Sequence, residues 1–558
     1  MEIYIEKAKI FLKTNKIEIL VFLLFLGVTI LALLYSFTLP FTIHGDTYVS
    51  LLGNKVATDP TYPDRAFLLN LDFKPYLYTN LLSITTNHFS LYTGKLIIFF
   101  FAVFGIGYGA YIGFRMLRFP RSVAILTALV ALMPRGEISG GIFAAITPDD
   151  VLGSALAIPI MWLVLSWFLQ RRFEKKSLWP VMLVSGLSTY MHPVSLIFFN
   201  CVLFLTILYW AIIDKNYKKD LKDFFWSIVS FSLGASFLLI KIFTVSRGVS
   251  LTKSGFATAS AHEYVTALLY RIGFDFFPTS ASYIVQFSII NVLFWVAVVY
   301  VYYNIRKGKI VKGSLLHFIS NFSFFVIIVS VFLSFSLPAL QLWLVQKFDF
   351  PYILQQTSRF FRYYYLGIFL LWGVAVTVFL EQYKEKRKIL FTILLILGIV
   401  SSTFFFEVFQ FSVGYYGYQR EYIPAFLQKA KDVYSDGTKV YPALCDQITQ
   451  SGITRNDLIL YDDFTLRYWC ESRLYTTFEE GTIYLLSGKN QLVWWYKTYL
   501  EQEHALHFGD VAELTAFAKK VGARYAFLNI DSPIISTLEK KGEVVSKGSR
   551  FDIIRFKQ

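Results

Sequence analysis

Runs of about 20 apolar residues, separated by polar segments, dominate the chain as far as residue 409. A helix of about 20 apolar residues crosses the hydrocarbon core of a bilayer, so the pattern predicts about eleven membrane spans within a transmembrane domain, 1–409. The predicted spans are 17–40, 95–117, 122–134, 151–169, 178–190, 194–213, 225–243, 283–303, 315–338, 364–380 and 389–409. Two of them, 122–134 and 178–190, hold only about 13 residues each, so they reach about 20 Å and stop short of one membrane face.

The pattern changes from about residue 410 onward, where charged residues become frequent and the apolar runs shorten. Segments 457–463, 523–530 and 550–556 have the composition of strands, and 510–522 has the periodicity of a helix. The pattern over residues 410–558 therefore predicts one C-terminal α/β domain.

Composition indicates the class of protein, and the distribution of charge indicates its orientation in the membrane. The 558 residues are 55% hydrophobic and 19% aromatic, with a mean hydropathy of +0.51, which excludes a soluble globular protein and predicts an α-helical polytopic membrane protein. Cations cluster at the N-terminus and in alternate connections, so the positive-inside rule places the N-terminus in the cytoplasm. An odd number of spans then makes the C-terminal domain extracytoplasmic. The clusters are 7–16, 115–121, 171–176, 215–222, 306–312 and 384–388.

The net charge of +15 is thus interpreted as a mark of topology, and no nucleic-acid partner is expected. No small-residue cleavage site follows the first apolar run, so we expect the first span to remain as an anchor. The predicted outer loops lack an Asn-x-Ser/Thr sequon, which favours a prokaryotic source. The expected location is the bacterial cytoplasmic membrane, which the chain crosses several times.

The long first outer loop, 41–94, begins with the sequence HGD directly after the first span. A partly desolvated carboxylate at Asp46 is able to act as a general base on a hydroxyl group, with His44 as a second polar group beside it. The alternative is that Asp46 is a solvated loop acid just beyond a helix end.

The outer ends of the two short spans predict a polar recess below the membrane surface, because unpaired polar backbone cannot face lipid. The sequence TPDD, 147–150, lies there, and its order of Thr, Pro and two acids is typical of a helix N-terminus. Contact of Asp149 or Asp150 with an acceptor sugar or a metal stays open. His192, before Pro193, either opens the sixth span or donates a hydrogen bond to a substrate.

Arg359 and Arg362 stand three residues apart at the start of the tenth predicted span, on the side that otherwise carries few cations. Two guanidinium groups on one helical face suit a phosphate, which they hold through paired hydrogen bonds. The alternative is snorkelling of both side chains within a belt of aromatic neighbours.

The layout resembles the GT-C class of membrane glycosyltransferases, and in particular bacterial members similar to the dolichyl-phosphate-mannose-type and aminoarabinose-type transferases. At the level of motifs the resemblance is carried by HGD at 44–46, TPDD at 147–150, MHP at 191–193 and the Arg359/Arg362 pair. The common family form has an acidic pair, or an acid followed by an aromatic residue, in the first loop. Here Thr47 and Tyr48 follow Asp46.

The resemblance implies an enzyme that moves a sugar from a polyprenyl-phosphate carrier to an extracytoplasmic glycan, lipid or protein acceptor, with inversion. Asp46 is then the general base, and the expected substrate-binding residues are His44, Asp149, Asp150, His192, Arg359 and Arg362. No cofactor is predicted, although a divalent metal remains an open alternative. The rival interpretations are a transporter, which would show charges near the midplane of several spans, and a non-catalytic protein of envelope polysaccharide assembly.

Two features of the C-terminal part leave alternatives open. Cys445 and Cys470 either pair in an oxidising compartment or stay as reduced buried thiols. The stretch 492–500 places four aromatic residues at helical spacing, which favours a packed helix over a platform for sugar rings.

Overall fold

A computed structural model describes most of the helical N-terminal part and most of the C-terminal part of the chain. The longer described ranges are 16–36, 91–132, 153–213, 217–240, 259–276, 295–348, 363–400, 443–462, 465–478, 489–548 and 551–556. The shorter ones are 52, 55–56, 58–64, 80–81, 84–85, 88, 146–147, 150–151, 360, 480–481 and 484.

The described residues of the N-terminal part are almost entirely helical. Their helices are α1 Lys16–Ser36, α2 Leu91–Met116, α3 Arg121–Ala131, α4 Gly153–Phe173, α5 Trp179–Ser188, α6 Pro193–Ile213, α7 Tyr217–Gly234, α8 Ala261–Phe276, α9 Leu315–Phe348, α10 Tyr364–Gln382 and α11 Arg387–Val400, with a further helix over 295–306. Each apolar segment predicted as a span overlaps one of these helices. Helix α8 lies outside them, in the predicted outer connection before the eighth span.

Four helices within the described residues are long and apolar enough to cross a membrane, so the chain is a membrane protein. They are Leu96–Met116, Ser195–Ile213, Leu315–Phe348 and Tyr364–Gln382. The total of eleven spans stays a prediction. Helices α3 and α5 have only 11 and 10 residues, so each is about 15 to 17 Å long. The prediction that these two segments form short helices is confirmed.

Helices in the N-terminal part present large apolar side chains on their outer faces. Phe101, Phe237, Ile328 and Phe332 are each at least 60% exposed. In water such faces would be unfavourable, whereas lipid tails solvate them as well as a protein core does. These faces therefore mark the surface of the bundle that contacts lipid.

Small residues allow α2 to approach α4 closely. Gly105, Gly109 and Gly113 recur every four residues on the face of α2 that packs against α4. A Cβ atom at Gly113 would lie 2.7 Å from the Ser166 hydroxyl, and one at Gly109 would lie 3.2 Å from Cβ of Pro159. Such close approach supplies the van der Waals contact that holds helices together in lipid, where apolar burial gives little.

A second close contact joins α5 to α7. A Cβ atom at Gly186 would lie 2.3 Å from the Phe231 carbonyl oxygen, and one at Gly234 would lie 2.3 Å from the Leu183 carbonyl oxygen. The two glycines thus face each other's helix backbones. The short helix α5 is consequently fixed by backbone packing over most of its length.

The cationic clusters lie together at one end of the bundle. Arg121 at the start of α3 donates to Glu18 of α1 at 2.9 Å, and Arg118 donates to Glu174 at the end of α4, also at 2.9 Å. Arg172 of α4 pairs with Asp220 of α7. The first helix and three alternate connections therefore meet at this end, which we call the basic end.

The later helices reach the same end. The Arg172 guanidinium lies 4.8 Å from the centroid of the Trp210 ring in α6, and that ring stacks on Phe318 of α9 at 5.5 Å. Gln382 at the end of α10 donates to Asn304 at 2.9 Å, beside the cations at 306–312. A common basic end is what the positive-inside assignment requires of these connections.

The C-terminal domain is built around a five-stranded mixed sheet. In chain order its strands are β3 Leu458–Leu460, β4 Arg473–Leu474, β5 Tyr525–Asn529, β6 Val544–Ser546 and β7 Phe551–Arg555, and their order in the sheet is β4-β3-β5-β7-β6. Strands β3 and β4 are parallel, as are β3 and β5, whereas β7 is antiparallel to β5 and β6. A separate antiparallel pair, earlier in the chain, consists of β1 Ile146–Thr147 and β2 Asp150–Val151. The three strands predicted from the sequence are confirmed as β3, β5 and β7.

Helices cover both faces of the sheet. They are α12 Thr465–Trp469, α13 Lys489–His507, α14 Val511–Val521 and α15 Ile535–Lys540, with a further helix over 443–450. One face packs on α13, α14 and α15, and the other on α12 and 443–450. The predicted helix 510–522 is confirmed as α14, which opens with a capping box between Asp510 and Glu513 and ends at Gly522 with φ +75°.

Gly186→Ala should destabilise the protein, because the new Cβ atom collides with a backbone carbonyl that cannot move alone. We expect the free energy of unfolding in detergent to fall by about 2 kcal/mol. Gly27→Ala in α1 is the matched control, since nothing lies within 4 Å of its added Cβ atom. Equal unfolding curves for the two variants would contradict the close contact between α5 and α7.

Candidate functional site

Five of the seven predicted site residues lie outside the described residues: His44, Asp46, Asp149, Arg359 and Arg362. Asp150 is described as part of a strand, without its side chain, and His192 is described in full. The described residues at or next to the predicted site are His192, and Phe360 and Tyr363 beside the two arginines.

The first and last residues of the TPDD sequence lie in strands. Thr147 and Asp150 are paired residues in the antiparallel ladder of β1 and β2, and α4 begins only at Gly153. The prediction of a helix N-terminus at Thr147 is therefore wrong.

His192 stands between two helices. Helix α5 ends at Ser188 and α6 begins at Pro193, and the backbone N–H of Ser195 donates to Nδ1 of His192 at 3.3 Å. The bond satisfies one of the free N–H groups of the first turn, so the interpretation that His192 opens the sixth span is confirmed. An accepting Nδ1 places the proton of the neutral ring on Nε2, which makes that nitrogen a donor.

The start of α10 packs against the same end of α6. The Tyr363 hydroxyl donates to the Ser195 carbonyl oxygen, and the Phe360 ring stacks on Phe198 with 4.7 Å between centroids. All four side chains are at least nine-tenths buried. Two regions that the sequence analysis singled out separately, MHP and the segment with Arg359 and Arg362, are thus neighbours.

This junction lies away from the basic end. Helix α6 starts beside His192 and reaches the basic end at Trp210; 18 residues of helix correspond to about 27 Å. Helix α10 likewise starts at the junction and reaches the other end at Gln382. The junction and the basic end therefore occupy opposite ends of both helices.

Residues of the first outer loop contact the C-terminal domain. We refer to the described residues between 52 and 64 as the first-loop segment. Lys55 donates to the Tyr468 carbonyl oxygen at 2.9 Å and pairs with Glu471 at 2.7 Å. The Tyr62 hydroxyl donates to the Arg467 carbonyl oxygen, and Leu52 and Val56 are fully buried. These contacts hold the segment against α12.

A buried guanidinium forms the centre of this contact. Arg467 donates to Asp64 at 3.1 Å, to Glu480 at 2.7 Å and to the Leu474 carbonyl oxygen at 2.7 Å, and its side chain is 2% exposed. Arg473 donates to the second oxygen of Asp64 at 3.0 Å. The carboxylate of the first-loop segment is thus held between two guanidinium groups, an arrangement with strong charge-assisted hydrogen bonds.

The surroundings shift the pKa values of the first-loop segment in opposite directions. Burial, together with the nearby Arg455, lowers the pKa of Lys55. Hydrogen bonds from the hydroxyl and backbone N–H of Thr61 lower the pKa of Asp59. Burial raises the pKa of Tyr62, so its hydroxyl stays protonated as a donor.

A disulfide bond lies next to this contact. Cys445 and Cys470 are bonded to each other, which decides between the two alternatives left by the sequence. Cys470 stands between Tyr468 and Glu471, the two residues that contact Lys55. The bond therefore anchors the binding edge for the first-loop segment to the helix over 443–450.

Helix α8 contacts the C-terminal domain through α13. Glu263 pairs with Lys497 at 2.6 Å, and the Tyr270 hydroxyl donates to Glu503 at 3.1 Å. The hydrogen bond from Lys497 contributes most to a pKa of about 2 for Glu263. Trp495 and Tyr499 are buried in this contact together with Val345 of α9, so the packing interpretation of 492–500 is confirmed.

Neither Asp64 nor Arg467 is among the residues predicted from the sequence. Their ion pair joins positions 403 residues apart, so no local spacing relates them. The available signal was an arginine within the otherwise apolar run Leu466 to Trp469, since a charge in such a run is paired when it is buried. Within the described residues, no group of three His, Cys, Asp or Glu side chains is arranged to hold a metal ion.

Comparison with known proteins returned no relationship: no protein-family model matches the chain, and no curated protein matches it. A function for this protein therefore has to be inferred from its own sequence and structure. Its described part offers a buried junction beside His192 and an ionic contact between the first outer loop and the C-terminal domain.

Arg467→Ala should be strongly destabilising, because it leaves the buried Glu480 and the carboxylate of Asp64 without their common partner. We expect the free energy of unfolding in detergent to fall by about 3 to 5 kcal/mol. Arg473→Ala is the matched control: its side chain is 46% exposed, so its loss should cost about 1 kcal/mol or less. Chemical denaturation followed by near-UV circular dichroism measures both. Similar decreases in the free energy of unfolding for Arg467→Ala and Arg473→Ala would contradict the central position of Arg467.

Proposed function

We propose that the protein is a GT-C-like membrane glycosyltransferase that moves a sugar from a polyprenyl-phosphate carrier to an acceptor outside the cytoplasm. The proposal places the junction of α6 and α10 at the outer face of the bacterial cytoplasmic membrane. The basic end then faces the cytoplasm, and the C-terminal domain lies outside. A disulfide between Cys445 and Cys470 agrees with that orientation, because disulfides persist in oxidising compartments.

One observation supports the proposal more than any other: Phe360 and Tyr363 pack on the first turns of α6, next to His192. Arg362 lies between these two residues in the sequence, and Arg359 directly precedes them. The two described residues that flank Arg362 in the sequence therefore lie at the start of α6. The proposal assigns the carrier phosphate to the depth of that junction and assigns its binding to Arg359 and Arg362.

The proposed reaction is a single displacement at the anomeric carbon. The acceptor hydroxyl attacks that carbon and gives its proton to Asp46, while the bond from the anomeric carbon to the phosphate oxygen breaks. The phosphate leaves with the electron pair of that bond, and Arg359 and Arg362 stabilise its negative charge. One displacement inverts the configuration of the sugar. His44, Asp149 and Asp150 are assigned to contacts with the sugar or the acceptor.

Asp46→Asn should abolish turnover, because an amide cannot accept the proton of the acceptor hydroxyl. The assay incubates purified protein with undecaprenyl-phosphate-linked hexoses and pentoses and a cell-envelope glycan extract, and measures released undecaprenyl phosphate. Asp531→Asn, an exposed acid of the C-terminal domain, is the matched control and should keep wild-type turnover. Wild-type turnover in Asp46→Asn would refute the assignment of the base, and none in the wild-type protein would favour the transporter or the assembly protein.

Arg359→Ala should weaken binding of the carrier lipid, because one of the two cations at the phosphate is lost. We expect the Kd for undecaprenyl phosphate to rise about tenfold, the effect of one charge-assisted hydrogen bond of about 1.4 kcal/mol. Binding is measured by quenching of tryptophan fluorescence in detergent. Arg555→Ala, at an exposed position of β7, serves as the control. An unchanged Kd in Arg359→Ala would remove Arg359 from the phosphate site.

A further inference from the structure

The exposed face of α9 is apolar over a limited length. The helix has 34 residues and is therefore longer than the hydrocarbon core is thick. Its exposed residues between Asn321 and Gln346 are all apolar: Ile328, Phe332, Phe335, Ala339, Leu340 and Trp343. Asn321 and Gln346 are themselves exposed and polar, and the 25 residues of helix from one to the other correspond to about 37 Å. A hydrocarbon core of about 30 Å fits between these two polar positions.

Trp343 lies where this apolar stripe ends. The ring of Phe348 packs edge-on against it, with 5.3 Å between centroids, and the exposed Lys347 follows one turn later. Tryptophan is enriched at the boundary between hydrocarbon and headgroups, and a lysine there extends its amine into the polar layer. The basic end lies at the opposite end of α9, near Phe318. The membrane boundary remote from the basic end therefore falls close to Trp343.

The C-terminal domain contacts α9 at the same depth. Val345 has no exposed surface and is buried in one apolar cluster with Leu268 of α8 and Trp495 of α13. Two residues of helix, about 3 Å, separate Val345 from Trp343 along the axis. The headgroup layer on each side of the bilayer is about 5 to 8 Å thick. The contact between α8, α9 and α13 consequently lies at the level of that layer.

Helix α8 presents both polar and apolar side chains outward. Its buried side, with Tyr264, Val265 and Leu268, belongs to the cluster with Val345. His262 and Leu269 are exposed, and their separation of seven residues places them on the same side of the helix. The headgroup layer accommodates both kinds of side chain, as it does for helices that lie in the membrane interface.

We propose that α8 and the end of α9 lie in the lipid headgroup layer and hold the C-terminal domain on the membrane surface. The bilayer is the partner of this surface, because the exposed apolar stripe runs along α9 from its lipid-facing part, at Ile328 and Phe332, to Trp343. A contact of this kind requires no enzymatic activity, so it stands or falls independently of the proposed glycosyl transfer.

Nitroxide labels on single introduced cysteines test this placement in the full-length protein, reconstituted in lipid nanodiscs. The background is Cys201→Ser, in which the other two cysteines stay bonded to each other. The test variants are Trp343→Cys and Leu269→Cys, while Ile328→Cys and Asp531→Cys are the references for hydrocarbon and for water. Electron paramagnetic resonance measures how often each label collides with oxygen, which concentrates in hydrocarbon, and with nickel ethylenediaminediacetate, which prefers water.

The ratio of oxygen to nickel collisions should be about tenfold higher at Ile328 than at Asp531, because hydrocarbon excludes the polar chelate. Labels at Trp343 and Leu269 should both give ratios between these two references. A ratio at Leu269 or at Trp343 equal to that at Asp531 overturns the proposal, because that position then lies in water. A ratio at Leu269 equal to that at Ile328 also overturns it, since α8 would then lie within the hydrocarbon.

Neighbouring positions keep the measurement decisive where a test variant does not fold. Leu340→Cys and Gln346→Cys bracket Trp343 along α9, and the collision ratio should fall from the first to the second. His262→Cys replaces Leu269→Cys, because both residues lie on the same side of α8. Equal ratios at Leu340 and Gln346 would contradict a membrane boundary between them.

Discussion

The bilayer interior offers no water to backbone N–H and C=O groups, and this constraint determines most of the N-terminal part. Helices satisfy those groups internally, so the chain crosses the apolar layer only as helices. Helices α3 and α5 are too short to cross it, and the chain leaves α5 through a turn that ends at His192. Close contacts at Gly186 and Gly234 hold that short helix in place. A polar site below the membrane surface becomes possible only because other helices surround the turn.

Charge is distributed along the bundle in a way that complements this geometry. At the basic end, arginines from alternate connections pair with Glu18, Glu174 and Asp220, so the excess of cations is partly neutralised where it accumulates. At the opposite end the described contacts are mainly aromatic rings and single hydrogen bonds around Ser195 and Tyr363.

Local patterns explain what the sequence predicted correctly. Apolar runs identified the helices of the predicted spans and the short lengths of α3 and α5, and short apolar segments of strand-like composition identified β3, β5 and β7, whereas α8 was not predicted. The same reasoning failed at Thr147, which pairs with Asp150 between two strands and does not cap a helix. It also missed Arg467 and Asp64, whose pairing depends on tertiary structure. Local spacing carries no information about partners at that separation.

The distance along the chain between Asp64 and Arg467 has a consequence for biogenesis. The first-loop segment is synthesised early, whereas its partner follows 403 residues later. During that interval the loop has no place to bind, and elements with distant partners in sequence generally assemble last. The contact between the first-loop segment and the C-terminal domain therefore forms only after α12 has been synthesised, and a nascent chain that stalls before α12 lacks this contact.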